Sequence, residues 1–198
     1  MNFLAHIYLS MDDEEIMVAN FMADSVRKVQ VKNYTQKFQK GFALHHFIDH
    51  YTDHHPLVKE AQSVLTERHG KYASVLTDLF FDHFLARDWE EWHPLSLNEF
   101  TQNFYGLLDQ FNTVLTPRIK HLKPYMVRGN WLYNYQYIDG MRRVLGGMSR
   151  RARFTNKMNE GIQDLEKHYL FFESIFNRFF PELIAGSNAF LLEDQKTN

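Results

Sequence analysis

The densest group of side chains that could do chemistry is the segment HHFIDHYTDHHP, residues 45–56. It holds five of the chain's eleven histidines together with two aspartates. On a helical wheel, His45, Asp49 and Asp53 share one narrow stripe beside the hydrophobic stripe that should face the core. An imidazole and a carboxylate one turn apart can share a metal ion, although a hydrogen-bonded pair has the same spacing. The opposite side of the wheel is typical of a solvated face and holds His46, His50 and His54.

Further ionisable residues occupy positions where a helix would normally bury hydrophobic side chains. Asp82 and His83 lie within LFFDHFL, Asp24 lies within NFMADSV, and His6 lies within NFLAHIYL. A buried carboxylate costs several kcal/mol unless it is paired or bound to a metal. Because four separate segments each carry such a residue, we expect them to meet in one site. Carboxylates and imidazoles suit Mn²⁺, Fe²⁺ or Zn²⁺, with Mg²⁺ as a further candidate, and the chain has no cysteine to supply a thiolate.

The third feature is a basic run at residues 140–159, GMRRVLGGMSRRARFTNKMN, with five arginines, one lysine and no acid. Such a run is often only a solvated helix face. It could also dock an acidic partner or clamp a phosphate, since a guanidinium binds phosphate through two parallel hydrogen bonds. The candidates for this role are Arg150, Arg151 and Arg153, with Arg27 as a further one.

Helices are the elements that must position these side chains. Hydrophobic residues recur at helical spacing, and the acidic run DDEE is typical of the first turn of a helix. Pro56, Pro94 and Pro117 are predicted to lie in turns or in the first turn of a helix. One helix is predicted to stop at Pro181. Strand-like alternation between turn signals is missing. The sequence therefore predicts an all-α fold, a compact bundle of about seven to nine helices, in a single domain over residues 1–198 with about six frayed residues at the C-terminus.

Bulk composition narrows the classes of function. The net charge is -2, from 24 acidic and 22 basic residues, which argues against general binding to nucleic acid. No stretch approaches the roughly 18 hydrophobic residues that a membrane span needs. The N-terminus lacks the basic region of a signal peptide. We therefore expect a cytoplasmic protein.

Five segments, in order along the chain, resemble the acyl carrier protein phosphodiesterase family. They are NFLAH at 2–6, NFMADSVRK at 20–28, GFALHHFIDHYTDHHP at 41–56, DHFL at 82–85 and GMSRRAR at 147–153. The sequence departs from the family pattern at Ala19, where a glycine is expected, and at His46, where an arginine is expected. A third departure is Ser25, where an aromatic residue is usual.

The resemblance implies an all-α fold distantly akin to the HD-domain metal-dependent phosphohydrolases, although this chain has Asp-His dipeptides and no His-Asp dipeptide. It also implies a Mn²⁺-dependent activity that removes the 4′-phosphopantetheine arm from holo-acyl carrier protein, an acidic protein substrate. We therefore expect the metal ligands, or their hydrogen-bonded neighbours, to be among Asp24, His45, Asp49, Asp82, His83 and His6. Catalytic roles are expected for His45, Asp49 and Asp53, with Asp53 either orienting a histidine or acting as general base.

Two alternatives stay open on the sequence. The first is an HD-type phosphohydrolase that acts on a nucleotide or another small phosphoester and needs no protein-docking surface. The second is a metal-binding helical bundle without catalysis, such as a ferritin-like protein. A ferritin-like site needs two Glu-x-x-His motifs, whereas this chain has one, from Glu90 to His93.

Overall fold

The structure, a computed structural model, describes residues 1–152 and 154–193. Within these ranges every regular element is helical and no strand occurs, so the all-α prediction is confirmed. Arg153 and residues 194–198 lie outside the described ranges, so of the C-terminal segment predicted to fray only Glu193, the last residue of α11, is described. The α-helices are α1 Phe3–Tyr8, α2 Glu14–Met22, α3 Gln36–His54, α4 Pro56–His69, α5 Ala73–Arg87, α6 Leu97–Gln110, α7 Pro117–Arg128, α8 Trp131–Asn134, α9 Ile138–Arg151, α10 Gly161–Lys167 and α11 Tyr169–Glu193.

The number of helices is higher than the sequence indicates. Eleven α-helices occur in the described part of the chain, against a prediction of about seven to nine. Three of them, α1, α8 and α10, have only six, four and seven residues. Elements this short complete too few turns to show a hydrophobic period, which is why the sequence does not reveal them.

Side-chain caps and prolines explain where several helices begin. Asp13, Thr35 and Thr116 each accept a hydrogen bond from a backbone N–H in the first turn of α2, α3 and α7 respectively. Pro56 and Pro117 are the first residues of α4 and α7, as predicted. A proline is favourable there because the first N–H groups of a helix have no partner within the helix.

The prediction that the last helix stops at Pro181 is wrong. α11 runs from Tyr169 to Glu193 with Pro181 inside it. A proline removes one backbone hydrogen bond, but α11 buries Phe176 and Phe180 before it and Leu183 after it. The rings of Phe176 and Phe180 stack with centroids 4.9 Å apart. Burial of this hydrophobic face stabilises the helix on both sides of the proline, and the helix therefore continues.

The contact between α2 and α3 fixes the frame of the candidate site. A Cβ atom at Gly41 of α3 would lie 2.5 Å from Ala19 Cβ and 2.8 Å from the Ile16 carbonyl oxygen, both on α2. Only glycine permits so close an approach of the two backbones. Asn20 follows Ala19, and His45 lies one turn after Gly41, so the same contact brings these two polar residues together.

The hydrophobic core lies between α5 and α11 and extends under α1. Phe80, Phe81 and Phe84 of α5 contact aromatic rings of α11, with centroids between 5.1 and 6.0 Å apart. Leu4 and Ile7 of α1 are fully buried in the same core. This packing holds α1, and with it His6, against the longer helices. None of the described helices is long and apolar enough to cross a membrane.

Candidate metal centre

Three of the predicted site residues come together where α1 meets α3. His6 lies on α1, and His45 and Asp49 lie one turn apart on α3. Asp49 Oδ1 is 3.3 Å from His6 Nε2, and Asp49 Oδ2 is 3.2 Å from His45 Nε2. The two imidazole rings stack with centroids 4.2 Å apart. One ligand atom from each residue lies within 4.8 Å of the other two, so the group could hold a metal ion.

The two imidazoles are buried, whereas the carboxylate reaches solvent. The side chains of His6 and His45 are 3% and 6% exposed, and that of Asp49 is 42% exposed. The Nε2 atoms of His6 and His45 thus lie on the buried side of the cluster, and the Asp49 carboxylate forms part of its solvent-accessible rim. A metal site that does chemistry needs such an open side for water and substrate.

Asn20 of α2 binds the remaining nitrogen of each ring. Its amide nitrogen donates to the His6 carbonyl oxygen at 2.7 Å and to Ser10 Oγ at 3.1 Å, so its Oδ1 must be the acceptor. His6 Nδ1–H therefore donates to Asn20 Oδ1, 2.8 Å away. His45 Nδ1–H donates to the Asn20 backbone carbonyl at 2.9 Å, since a carbonyl oxygen can only accept.

These hydrogen bonds fix the tautomer of both histidines. With the proton on Nδ1, either ring in its neutral form turns the lone pair of Nε2 toward an oxygen of Asp49, 3.2–3.3 Å away. Two acceptors at this distance repel each other unless a proton or a cation lies between them. A histidine that ligates a metal characteristically donates its other N–H to a protein oxygen. Both histidines here meet that requirement.

Burial lowers the pKa of the two imidazoles, and the nearby carboxylates raise it. Burial lowers the pKa of His6 below its usual value despite the contact with Asp49. Burial also acts to lower the pKa of His45, but the hydrogen bonds to Asp24 and Asp49 outweigh it and raise this pKa to about 9. Burial acts to raise the pKa of Asp49, but the contacts with the imidazoles of His45 and His6 outweigh it and lower this pKa. A proton on His45 thus neutralises Asp49, whereas neutral His6 turns its lone pair to the same carboxylate.

Asp24 and Asp53 border this cluster. Asp24 Oδ1 lies 3.2 Å from His45 Nε2, and the Asp24 side chain is 74% exposed. The hydrogen bond with His45 lowers the pKa of Asp24. Asp53 lies one turn beyond Asp49 on α3 and is exposed, and partial desolvation and the carboxylate of Asp78 raise its pKa. Both carboxylates are therefore accessible to a molecule that approaches the cluster.

The predicted ligand Asp82 has other partners. Its side chain is fully buried, and its oxygens accept backbone N–H bonds from Asn2, Leu4 and Ala5 at 3.2, 2.7 and 3.4 Å. Burial raises the pKa of Asp82 to about 7, against the opposing effects of the nearby Met1 ammonium group and these N–H donors. The first N–H groups of a helix have no partner within the helix, and a carboxylate there satisfies them. Asp82 therefore holds the start of α1, the helix that carries His6, and lies outside the cluster.

The predicted ligand His83 also has other partners. Its Nδ1–H donates to the Tyr135 carbonyl oxygen, and the Tyr169 hydroxyl donates to its Nε2, each at 2.7 Å. Arg87 donates to the same hydroxyl oxygen at 3.0 Å, which leaves the hydroxyl proton for His83. Burial lowers the pKa of His83, in keeping with a neutral ring that joins α5 to α11. Neither ring nitrogen of His83 is left for a metal, and both Asp82 and His83 are bound by groups outside the cluster.

Asn20 is the site residue that reasoning from the sequence missed. It shares a buried stripe with Met17 and Phe21, and the acidic residue Asp24 that follows was the more conspicuous feature. A signal was present, because a buried amide needs partners as a buried carboxylate does. What the stripe does not show is that the partners are His6 and His45, on two other helices.

The predicted basic residues of α9 line a groove. Arg150 and Arg151 form this groove, about 240 Å³ in volume, together with Arg143 and Trp131. The Arg151 guanidinium lies 5.6 Å from the centre of the Trp131 ring. No carboxylate of the described residues forms an ion pair with these three arginines, so the groove concentrates positive charge. Of the other predicted basic residues, Arg27 is exposed, and Arg153 lies outside the described ranges.

The fold and the cluster together define an all-helical protein with a centre of two histidines and one carboxylate that could hold a divalent cation. The chain belongs to the acyl carrier protein phosphodiesterase family, because residues 1–183 match the family model of that description. A relative named acyl carrier protein phosphodiesterase from Photorhabdus laumondii subsp. laumondii is 30% identical over 93% of this chain and 93% of its own length. Relatives of the same name from Klebsiella pneumoniae strain 342 and Escherichia coli O157:H7 are 33% and 32% identical, over 93% and 95% of this chain and 96% and 98% of their own. No solved structure matches the chain, and the likeness to HD-domain phosphohydrolases stays a prediction.

Proposed function

We propose that this protein is a metal-dependent phosphodiesterase that removes the 4′-phosphopantetheine arm from holo-acyl carrier protein. The observation that supports the metal centre is the pair of Nε2 atoms, one from His6 and one from His45, that face Asp49 while Asn20 binds Nδ1 of both rings. The relatives supply the substrate and the reaction, because proteins that align with nearly the whole chain carry that name.

The donor atoms of the cluster fit a divalent transition metal. Imidazole nitrogen and carboxylate oxygen together suit Mn²⁺, Fe²⁺ or Zn²⁺, whereas Mg²⁺ prefers oxygen ligands alone. We take Mn²⁺ as the ion, as the family resemblance implies, with His6, His45 and Asp49 as ligands and Asp24 as a further carboxylate at the rim. Such an ion, when bound, lowers the pKa of its water toward about 7 and polarises a phosphoryl oxygen.

The side chains of the protein move the protons and set the orientation. In the reaction the water oxygen bonds to phosphorus, the bond from phosphorus to the carrier-protein serine oxygen breaks, and that oxygen takes up a proton. Asp53, exposed one turn beyond Asp49 and with a raised pKa, is the proposed general base. Asn20 keeps both imidazoles turned so that Nε2, rather than Nδ1, faces the reacting groups.

The groove lined by Arg143, Arg150 and Arg151 is the proposed docking surface for the acidic carrier protein. The whole chain has a net charge of -2, so attraction to an acidic protein must come from a local patch. These arginines have no carboxylate partner among the described residues and are available to one from outside. Charges at the rim of an interface act mainly on the rate of association and on its salt dependence.

Mass spectrometry of holo-acyl carrier protein incubated with the protein and Mn²⁺ tests the activity. The wild type should produce apo-carrier protein, and a chelator should stop the reaction. Asp49→Ala should abolish hydrolysis and lower the Mn²⁺ content, whereas His54→Ala, exposed on the same helix, should match the wild type. Wild-type Mn²⁺ content in Asp49→Ala would contradict the metal centre. Hydrolysis of a nucleotide or small phosphoester, with holo-carrier protein left intact, would favour the HD-type alternative.

Reversal of charge tests the docking surface. The double variant Arg150→Glu, Arg151→Glu should raise the KM for holo-carrier protein about ten-fold to a hundred-fold and leave hydrolysis of a small diester unchanged. Lys59→Glu, exposed on α4, is the control for reversing a charge elsewhere. If turnover of both substrates falls together, the arginines bind the reacting phosphate. If neither changes, they form only a solvated helix face and the docking proposal is wrong.

A further inference from the structure

A second groove is lined by Ser25, the chain neighbour of the carboxylate residue Asp24 at the rim of the metal centre. It has a volume of about 420 Å³ and lies between the segment that follows α2 and the start of α7. Ser25, one of the residues that line it, directly follows Asp24 in the chain, and adjacent Cα atoms are about 3.8 Å apart. Asp24 Oδ1 is itself 3.2 Å from His45 Nε2. The wall of the groove that contains Ser25 is therefore next to a residue in contact with His45.

The lining of this groove is uncharged and combines hydrophobic side chains with polar ones. None of the described residues that line it is Asp, Glu, Lys, Arg or His. Gln30 and Asn33 supply amide groups, and Ser25, Thr113 and Thr116 supply hydroxyl groups. An anionic ligand would find no opposite charge here, whereas an uncharged chain with amide and hydroxyl groups would find both donors and acceptors.

Hydrogen bonds hold the inner wall of the groove in place. Ser25 Oγ donates to the Met22 carbonyl oxygen at 2.7 Å, so the Thr116 hydroxyl, 2.6 Å away, is the donor to Ser25. Thr116 Oγ1 in turn accepts from the Ile119 N–H at 3.4 Å at the start of α7. The wall therefore joins the end of α2 to α7 before any ligand arrives. Preformed pockets of about 300–1,000 Å³ are the usual size for small ligands.

We propose that this groove is the subsite for the pantetheine arm of the substrate. The inference rests on the proposed function, which places a phosphodiester at the metal centre. One substituent of that diester is the acidic carrier protein, for which the groove with Arg143, Arg150 and Arg151 supplies positive charge. The other is an uncharged chain of amide, hydroxyl, alkyl and terminal thiol groups, which matches the uncharged, partly hydrophobic lining of the groove that contains Ser25. The groove with the three arginines thus matches the acidic half of the substrate, and the uncharged groove matches its uncharged half.

Binding of free pantetheine, which has no phosphate, tests the subsite separately from catalysis. Asn33 and Thr113 are exposed residues of the lining, so Asn33→Trp and Thr113→Trp should fill the groove without disturbing the core. Gln36 is exposed nearby but does not line the groove, and Gln36→Trp is the matched control. In isothermal titration calorimetry the wild type and the control should bind pantetheine, and the two groove variants should bind it about ten-fold more weakly or not at all.

Hydrolysis gives a second readout for the same variants. Asn33→Trp and Thr113→Trp should raise the KM for holo-carrier protein and leave hydrolysis of bis(p-nitrophenyl) phosphate, which has no arm, unchanged. Absence of pantetheine binding by the wild type at millimolar concentrations, or equal binding by the groove variants, would overturn the subsite. If the wild type binds pantetheine as expected but leaves holo-carrier protein intact, the proposed reaction is wrong while the groove remains a pantetheine site.

Discussion

Replacement of Asn20 by alanine removes the side chain that orients His6 but keeps the backbone carbonyl that orients His45. Three buried hydrogen bonds are lost, one from His6 Nδ1 and two from the amide nitrogen to the His6 carbonyl and to Ser10. A buried hydrogen bond contributes about 0.5–1.5 kcal/mol to stability, so the free energy of unfolding should fall by about 2–4 kcal/mol. Urea unfolding at neutral pH measures this loss.

The same substitution should weaken metal binding, because the His6 ring is then free to turn. Loss of a group that orients a metal-bound histidine typically costs about 10–100-fold in affinity, and we expect the Kd for Mn²⁺ to rise by that factor. Asn20→Asp is the matched variant, since a carboxylate oxygen can still accept from His6 Nδ1 while the two donated hydrogen bonds are lost. It should therefore be destabilised yet retain most of the Mn²⁺ affinity. Calorimetry that finds wild-type Mn²⁺ affinity in Asn20→Ala, or the same loss in both variants, would refute this reasoning.

Three further predictions concern packing and pH. Gly41→Ala should lower the free energy of unfolding by about 1–3 kcal/mol, because its Cβ would lie 2.5 Å from Ala19 Cβ. Gly106→Ala is the control and should not lower it, because its Cβ meets nothing within 4 Å. Equal urea midpoints for the two variants would contradict the tight contact between α2 and α3. Burial lowers the pKa of His83 in the folded state below its value of 6.5 in the unfolded chain. As the pH falls through 6.5 and below, the free energy of unfolding of the wild type should therefore decrease relative to that of His83→Gln. A difference in free energy between the two proteins that does not change with pH would show that His83 is not held neutral. Mn²⁺ affinity should increase with pH up to about 9, where His45 loses the proton that competes with the metal. The increase should be roughly ten-fold per pH unit for one displaced proton. Calorimetry that shows the same Mn²⁺ affinity at pH 6.5 and pH 9 would argue against His45 as a ligand.

The parts of the site that follow from local spacing could be predicted from the sequence. The pairing of His45 with Asp49 needs only a helix and a separation of four residues, and the structure shows the contact at 3.2 Å. Local sequence also indicated that His6 needs a partner, because it stands among hydrophobic residues. The contact between His6 of α1 and Asp49 of α3 depends on packing between segments that are distant in the chain. The spacing of hydrophobic residues along the sequence does not reveal such packing.

Asp82 and His83 show why the rest could not be predicted. Burial of a polar side chain implies that a partner exists but does not identify it. Asp82 binds the backbone of Leu4, 78 positions away, and His83 binds the Tyr169 hydroxyl, 86 positions away. Backbone N–H groups and a tyrosine hydroxyl carry no sequence signal comparable to a cluster of histidines. The same limit applies to Pro181, since the local rule for proline ends a helix that burial in the core continues.

An anomalous difference map from crystals grown with Mn²⁺, recorded at the manganese absorption edge, tests the central claim most directly. We predict a peak in contact with His6 Nε2, His45 Nε2 and the Asp49 carboxylate, with the Nδ1 atoms still bound to Asn20. A peak at Asp82 and His83 instead, or no peak at the cluster in a protein that hydrolyses holo-carrier protein, would contradict the proposed centre.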